Sequence, residues 1–102
     1  MPVKGGECSA IKVSWYGNEH EGRETASGAV FRQNAMTAAM PTRKHLGERW
    51  QVTYGKRSVV VTITDTGDFA KYGRGMDLSR GAFAKLAHID KGVLRVTACR
   101  VG

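Results

Sequence analysis

Apolar and polar residues alternate with a period of two along most of this chain, and that pattern restricts its fold more than any other feature. Ile11-Lys12-Val13-Ser14-Trp15 and Arg49-Trp50-Gln51-Val52-Thr53-Tyr54 alternate, and Val93-Leu94-Arg95-Val96-Thr97 is rich in β-branched side chains, so each predicts a strand. Ser58-Val59-Val60-Val61-Thr62-Ile63-Thr64 is apolar and β-branched nearly throughout, which predicts a strand buried on both faces. Tyr54-Gly55-Lys56-Arg57 between two of these strands reads as a hairpin turn, with Gly55 free to take a positive φ. One stretch breaks the period. Leu78, Ala82, Phe83, Leu86 and Ala87 share one helical face, predicting a short helix that Asp77 or Ser79 caps and that ends before a turn at Asp90-Lys91-Gly92.

A chain of 102 residues holds one domain with one modest core, so residues 1–102 are read as a single domain with residues 1–10 as an N-terminal extension. Its 13 glycines are spread through the connections and form no linker. Many short strands with one or two short helices predict a mainly β protein, a closed barrel or a sandwich, because closure removes the exposed edges of a small sheet. The pattern does not choose between the two.

The formal net charge of +7 favours polyanionic partners through the summed surface field, but it serves solubility equally well. The basic residues stand singly or in pairs, as in Arg43-Lys44 and Lys56-Arg57, and build no run of the kind that marks a nucleic-acid arm. An anionic bacterial envelope fits as well. Cys8 and Cys99, the only cysteines, are too few for a zinc site and form no Cys-x-x-Cys pair. A bridge between them would stabilise by up to ~4 to 5 kcal/mol in the chain-entropy model and implies an oxidising compartment. The alternative is two unpaired buried thiols. No signal-peptide core and no membrane span is visible, which leaves a removed leader or another exit route, such as release in a phage virion.

Five short segments carry the functional reading: Ser14-Trp15-Tyr16-Gly17, Thr25-Ala26-Ser27-Gly28, Thr37-Ala38-Ala39, Thr64-Asp65-Thr66-Gly67-Asp68-Phe69 and Met76-Asp77-Leu78-Ser79. In this order, over about Lys12 to Val101, they resemble the double-psi β-barrel domain of the rare lipoprotein A-like proteins and the expansins. The resemblance implies a six-stranded double-psi β-barrel whose motif-bearing loops line an open groove. It implies peptidoglycan glycan strands or another anionic wall polysaccharide as partner, no cofactor and no metal.

Asp65 is the catalytic candidate. It follows an apolar strand whose end holds it rigidly, and Gly67 lets the chain turn just after it. The family segment usually reads Asn-Asp-Arg-Gly-Pro-Phe and its aspartate is regarded as catalytic; here Thr66 and Asp68 replace the arginine and proline. Lytic transglycosylases of this group break the bond between N-acetylmuramic acid and N-acetylglucosamine without water, closing the muramyl 6-oxygen onto C1. One carboxyl group can serve as acid and then as base there, whereas ordinary glycosidases need two.

Asp77, in the Asp-Leu-Ser segment shared with expansins, is expected in the groove, and it is equally a candidate helix cap. Tyr16 and Tyr72 offer aromatic faces to a sugar ring, and Thr25, Ser27, Thr37 and Asp68 offer polar contacts. Alternation hides one of Trp15 and Tyr16; family analogy assigns Tyr16 to the groove, with Trp50 and Phe83 as packing. Two departures stand out. Ala29 stands where the family has glutamate in Ala-Ser-Gly-Glu, and Met40 stands where it has histidine in Thr-Ala-Ala-His; Glu24 and His45 are the nearest residues of those types. These departures keep two alternatives open, a non-hydrolytic expansin-like wall-binding or wall-loosening module and a structural phage tail component in contact with other virion proteins.

Overall fold

Residues 8–67 and 69–101 are described by a computed structural model, Tyr72 by its backbone alone; Asp68 lies outside the described residues. The strands are β1 (Cys8–Tyr16), β2 (Thr37–Met40), β3 (Arg49–Tyr54), β4 (Arg57–Thr66), β5 (Met76–Ser79) and β6 (Leu94–Arg100), with one helix, α1 (Arg80–Leu86), between the last two. They close in the order β1-β5-β2-β4-β3-β6, the six-stranded double-psi barrel. β1 runs parallel to β5, and β2 runs parallel to β4, while the other neighbours are antiparallel. Closure gives every strand a neighbour on each side, which is how so small a sheet avoids an open edge strand.

Val13, Val52, Val61, Ile63, Met76 and Leu78 fill the barrel, and α1 adds Ala82, Phe83 and Leu86 to the same core. Trp50 and Phe83 are both packing residues. The hairpin between β3 and β4 is as expected, with Tyr54 opposite Arg57 and Gly55 at φ 60°.

Three local expectations are corrected. β4 is not buried on both faces: Val59, Val61 and Ile63 point inward, but Val60 is 43% exposed. A lone barrel has one interior, so the outward side of that strand meets water wherever no loop covers it. Leu78 does not begin the helix but ends a core-facing row on β5, and the cap is Ser79, whose Oγ accepts from the Ala82 N–H at 3.2 Å. The strand β1 starts at Cys8, so three residues of the segment read as an extension pair with β6. Cys8 and Cys99 lie opposite each other in that pairing and are joined by a disulfide.

Candidate functional site

Strand register assembles the site. Ala39 on β2 lies opposite Asp65 on β4 and also opposite Asp77 on β5, and Asp77 lies beside Ser14 on β1. Ser14, Asp77, Ala39 and Asp65 therefore form one row across four adjacent strands. Two strand spacings separate the aspartate backbones, roughly 10 Å. Met76 and Leu78 on either side of Asp77 are fully buried in the core, so alternation turns Asp77 to the outer face. The small methyl group of Ala39 between the two acids leaves a cleft of about 150 Å³, lined by Tyr16, His20, Ala39, Asp65, Thr66, Gly67, Phe69 and Asp77.

The two carboxyl groups are held differently. Asp65 Oδ1 accepts from the Ala26 N–H at 3.1 Å and the Thr66 N–H at 2.9 Å. The Ala26 donor comes from a turn that is itself fastened to β4, where the Ser27 N–H donates to the Thr64 carbonyl at 3.0 Å. Asp77 is more enclosed. Burial pushes its carboxyl above the ordinary range, opposed by the Ser14 hydroxyl, which donates to Oδ1 at 2.6 Å, and by the charge of Arg74. Arg74 in turn donates to Ser14 Oγ, so a chain of hydrogen bonds runs from guanidinium through hydroxyl to carboxylate. The same guanidinium sits over the Phe69 ring.

Tyr16 closes one wall. Its ring stacks on the buried Phe31 at 4.6 Å and meets the His20 ring edge-on at 5.4 Å. Burial first, and then the charges of Asp65 and Asp77, push its phenol far above the ordinary range, so it stays a neutral donor. Its hydroxyl is buried without a hydrogen-bond partner among the described residues.

Among the expected site residues, Tyr16, Asp65 and Asp77 come together in the cleft. Trp15 and Tyr16 are both half-buried, rather than one hidden and one exposed, because the Trp15 indole lies against the core and donates to the Ile89 carbonyl at 2.9 Å. Thr25 and Ser27 do not line the cleft: their hydroxyls bond each other at 3.0 Å and hold the turn that carries Ala26. Thr37 lies outside the lining as well, its hydroxyl buried with no hydrogen-bond partner among the described residues. Asp68 and the Tyr72 side chain lie outside what is described. Neither Glu24 nor His45 supplies the missing family side chains. Glu24 is exposed in a bridge to Val30, and His45 is bonded to Glu48 at 2.7 Å against Trp50. His20 enters the cleft instead. The His20 N–H donates to the Gly17 carbonyl at 2.8 Å, folding a short turn back over Tyr16, and the Gly17-Asn18 pair was the one sequence signal for that turn.

No metal-ligating cluster exists among the described residues, and among them no helix is long and apolar enough to cross a membrane.

The family model described as lytic transglycolase matches residues 8–98. This chain belongs to the lytic transglycolase family. A Synechocystis relative named "Probable endolytic peptidoglycan transglycosylase RlpA" is 44% identical over 93 residues, which cover 89% of this chain and 27% of that protein. The chain thus spans about a quarter of that transglycosylase's length. Among solved structures, the Streptomyces papain inhibitor SPI superposes with a TM-score of 0.79 at 26% identity, covering 95% of this chain and 96% of that one. A Clavibacter michiganensis expansin, solved as a point mutant in complex with cellohexaose, gives a TM-score of 0.74 at 19% identity over 94% of this chain and 51% of that one, which is a likeness of fold. The lytic transglycolase match and the RlpA relative fit the five segments that placed the family; the barrel shared with expansin fits the fold.

Proposed function

We propose that this lytic transglycolase domain cleaves peptidoglycan glycan strands by transglycosylation in the Tyr16–Asp65–Asp77 cleft. The observation that carries the reading is the placement of two carboxyl groups in unlike environments on either side of Ala39. Environments that separate the proton affinities of two acids are how one site runs both halves of an acid–base reaction.

Asp77, whose burial favours the protonated form, donates its proton to the oxygen that leaves C1 of N-acetylmuramic acid, and the C1–oxygen bond breaks. Asp65, fixed by two backbone donors, accepts the proton of the muramyl 6-hydroxyl as that oxygen bonds to C1 and forms the 1,6-anhydro ring. The two acids have then exchanged states and reset through solvent. The Tyr16 hydroxyl, without a partner among the described residues, donates to a sugar oxygen. This divides between two residues the work first assigned to Asp65 alone. The Cys8–Cys99 bridge supports an oxidising, extracytoplasmic setting, and the relatives lend a virion role no support.

Digestion of purified sacculi followed by mass spectrometry tests the reading. Release of 1,6-anhydro muropeptides is expected, lost in both Asp65→Asn and Asp77→Asn. A second reading, a wall-binding module without turnover, is favoured by Ala29 and Met40 in place of the family acid and imidazole. Sacculi that retain the protein yet yield no new products would replace the first reading with the second.

A further inference from the structure

Lys12 on β1 and Arg95 on β6 lie directly opposite each other in the antiparallel pairing. Like charges at opposed strand positions repel and weaken the sheet they sit on. Neither has a carboxylate partner among the described residues, and both are exposed on the outer face. Arg74 joins them. The three cations line a trough of about 360 Å³ whose other described walls are Ala10, Ile11, Ala70, Gly73 and Gly75. Gly75 makes the trough's floor possible: its N–H donates to the Lys12 carbonyl at 2.8 Å, and a Cβ there would press to 3.0 Å on Ile11.

The trough and the cleft are parts of one surface. Lys12, Ser14 and Tyr16 alternate on the same side of β1, so trough and Tyr16 lie about 13 Å apart along the strand. Arg74 lines the trough and donates to the Ser14 hydroxyl that holds Asp77. Arg74 therefore stands beside both the trough and the residue that holds the Asp77 carboxyl. A second basic groove of about 520 Å³, lined by Arg57, Arg80 and His88 among others, shares no residue with cleft or trough.

We propose that Lys12 and Arg95, in the trough beside Arg74, form a carboxylate subsite that selects an acidic glycan strand over a neutral one. Resting on the glycan reading of the cleft, this names what the cleft's substrate must carry: a carboxylate one or two sugars from the scissile bond. Two sources share that chemistry, the lactyl group of muramic acid and the stem peptide attached to it. Retaining a cross-strand repulsion with no compensating acid among the described residues is the kind of local cost that a binding site explains.

The test measures binding in an Asp65→Asn background, so that turnover does not consume the ligand. Three ligands of equal length are compared: glycan strands with stem peptides, strands stripped by an amidase so that only lactyl carboxylates remain, and chitin oligosaccharides with none. Strands should bind roughly 3- to 10-fold tighter than chitin oligosaccharides, the size expected of two or three rim charges, and the preference should fall as salt rises. Lys12→Gln with Arg95→Gln should abolish the preference. Lys56→Gln with Arg57→Gln, which removes the same charge elsewhere, should keep it. A preference for stripped strands assigns the lactyl group; one confined to intact strands assigns the peptide. Equal binding of all three ligands, or equal loss in both double variants, overturns the proposal. Loss of product release with the charge preference intact would remove the cleavage reading alone, and the reverse would remove only the subsite.

Discussion

Ser14→Ala isolates the contact that holds the carboxyl of Asp77, the proposed acid. Ser14 is 5% exposed, and its hydroxyl is engaged on both sides, donating to Asp77 and accepting from Arg74. A hydrogen bond to a charged group is worth about 1.5–3 kcal/mol, and losing it leaves the enclosed carboxylate short of a donor. Arg74 is only half-buried and regains water, which holds the total near the middle of that range, about 2 kcal/mol. For a domain of this size that lowers Tm by about 8–16 °C. The loss carries a pH signature. The Ser14 bond chiefly favours ionised Asp77, so the variant's deficit by urea unfolding should be larger at pH 9 than at pH 4. Burial, no longer opposed by that bond, keeps Asp77 protonated to higher pH, so the alkaline limb of product release moves upward. An equal deficit at both pH values and an unmoved limb would refute the assignment of Ser14 as the residue that positions and tunes Asp77.

Asp77→Asn should abolish product release while flattening the acid-range pH dependence of stability. Because burial raises this carboxyl in the folded state, the parent binds the proton more tightly folded than unfolded; its stability falls as pH climbs from about 4 through the raised titration, and unfolding curves across that range should show the variant without this slope. Tyr16→Phe removes a hydroxyl that bonds nothing among the described residues, so calorimetry should find its Tm unchanged or higher, while affinity for sacculi falls several-fold. Reducing the Cys8–Cys99 bridge, which spans 91 residues, should cost about 4–5 kcal/mol at equilibrium by freeing the unfolded chain. Product release measured at low temperature should survive that reduction, since the cleft lies at the other end of β1.

The long strands β1, β3 and β6 were readable because each faces the core on one side, which stamps a period of two on them, whereas β4 was readable only from its β-branched run, which hid its outward face. The four-residue strands β2 and β5 show no such stamp. Thr37-Ala38-Ala39-Met40 has two alanines, which are poor strand formers, and β5 is followed at once by α1, so Leu78 counted as helix. Both are strands because the barrel's pairing supplies what propensity does not. The cleft was readable where it rests on segment motifs, as at Tyr16, Asp65 and Asp77. His20 and Ser14 were missed as site residues for a different reason. One arrives through a loop that folds back, the other through register with a strand 63 residues away, and neither relation is local in sequence.

Cys8 and Cys99 bring the two described ends of the barrel within 4.0 Å of each other at the Cα atoms. Tyr16 stands at the opposite end of β1, roughly 26 Å along the strand. Entry and exit thus share one point, remote from the chemistry. Such a body behaves as a plug-in unit: spliced into a longer polypeptide at that single seam, it would leave its working face unobstructed whatever is attached behind it.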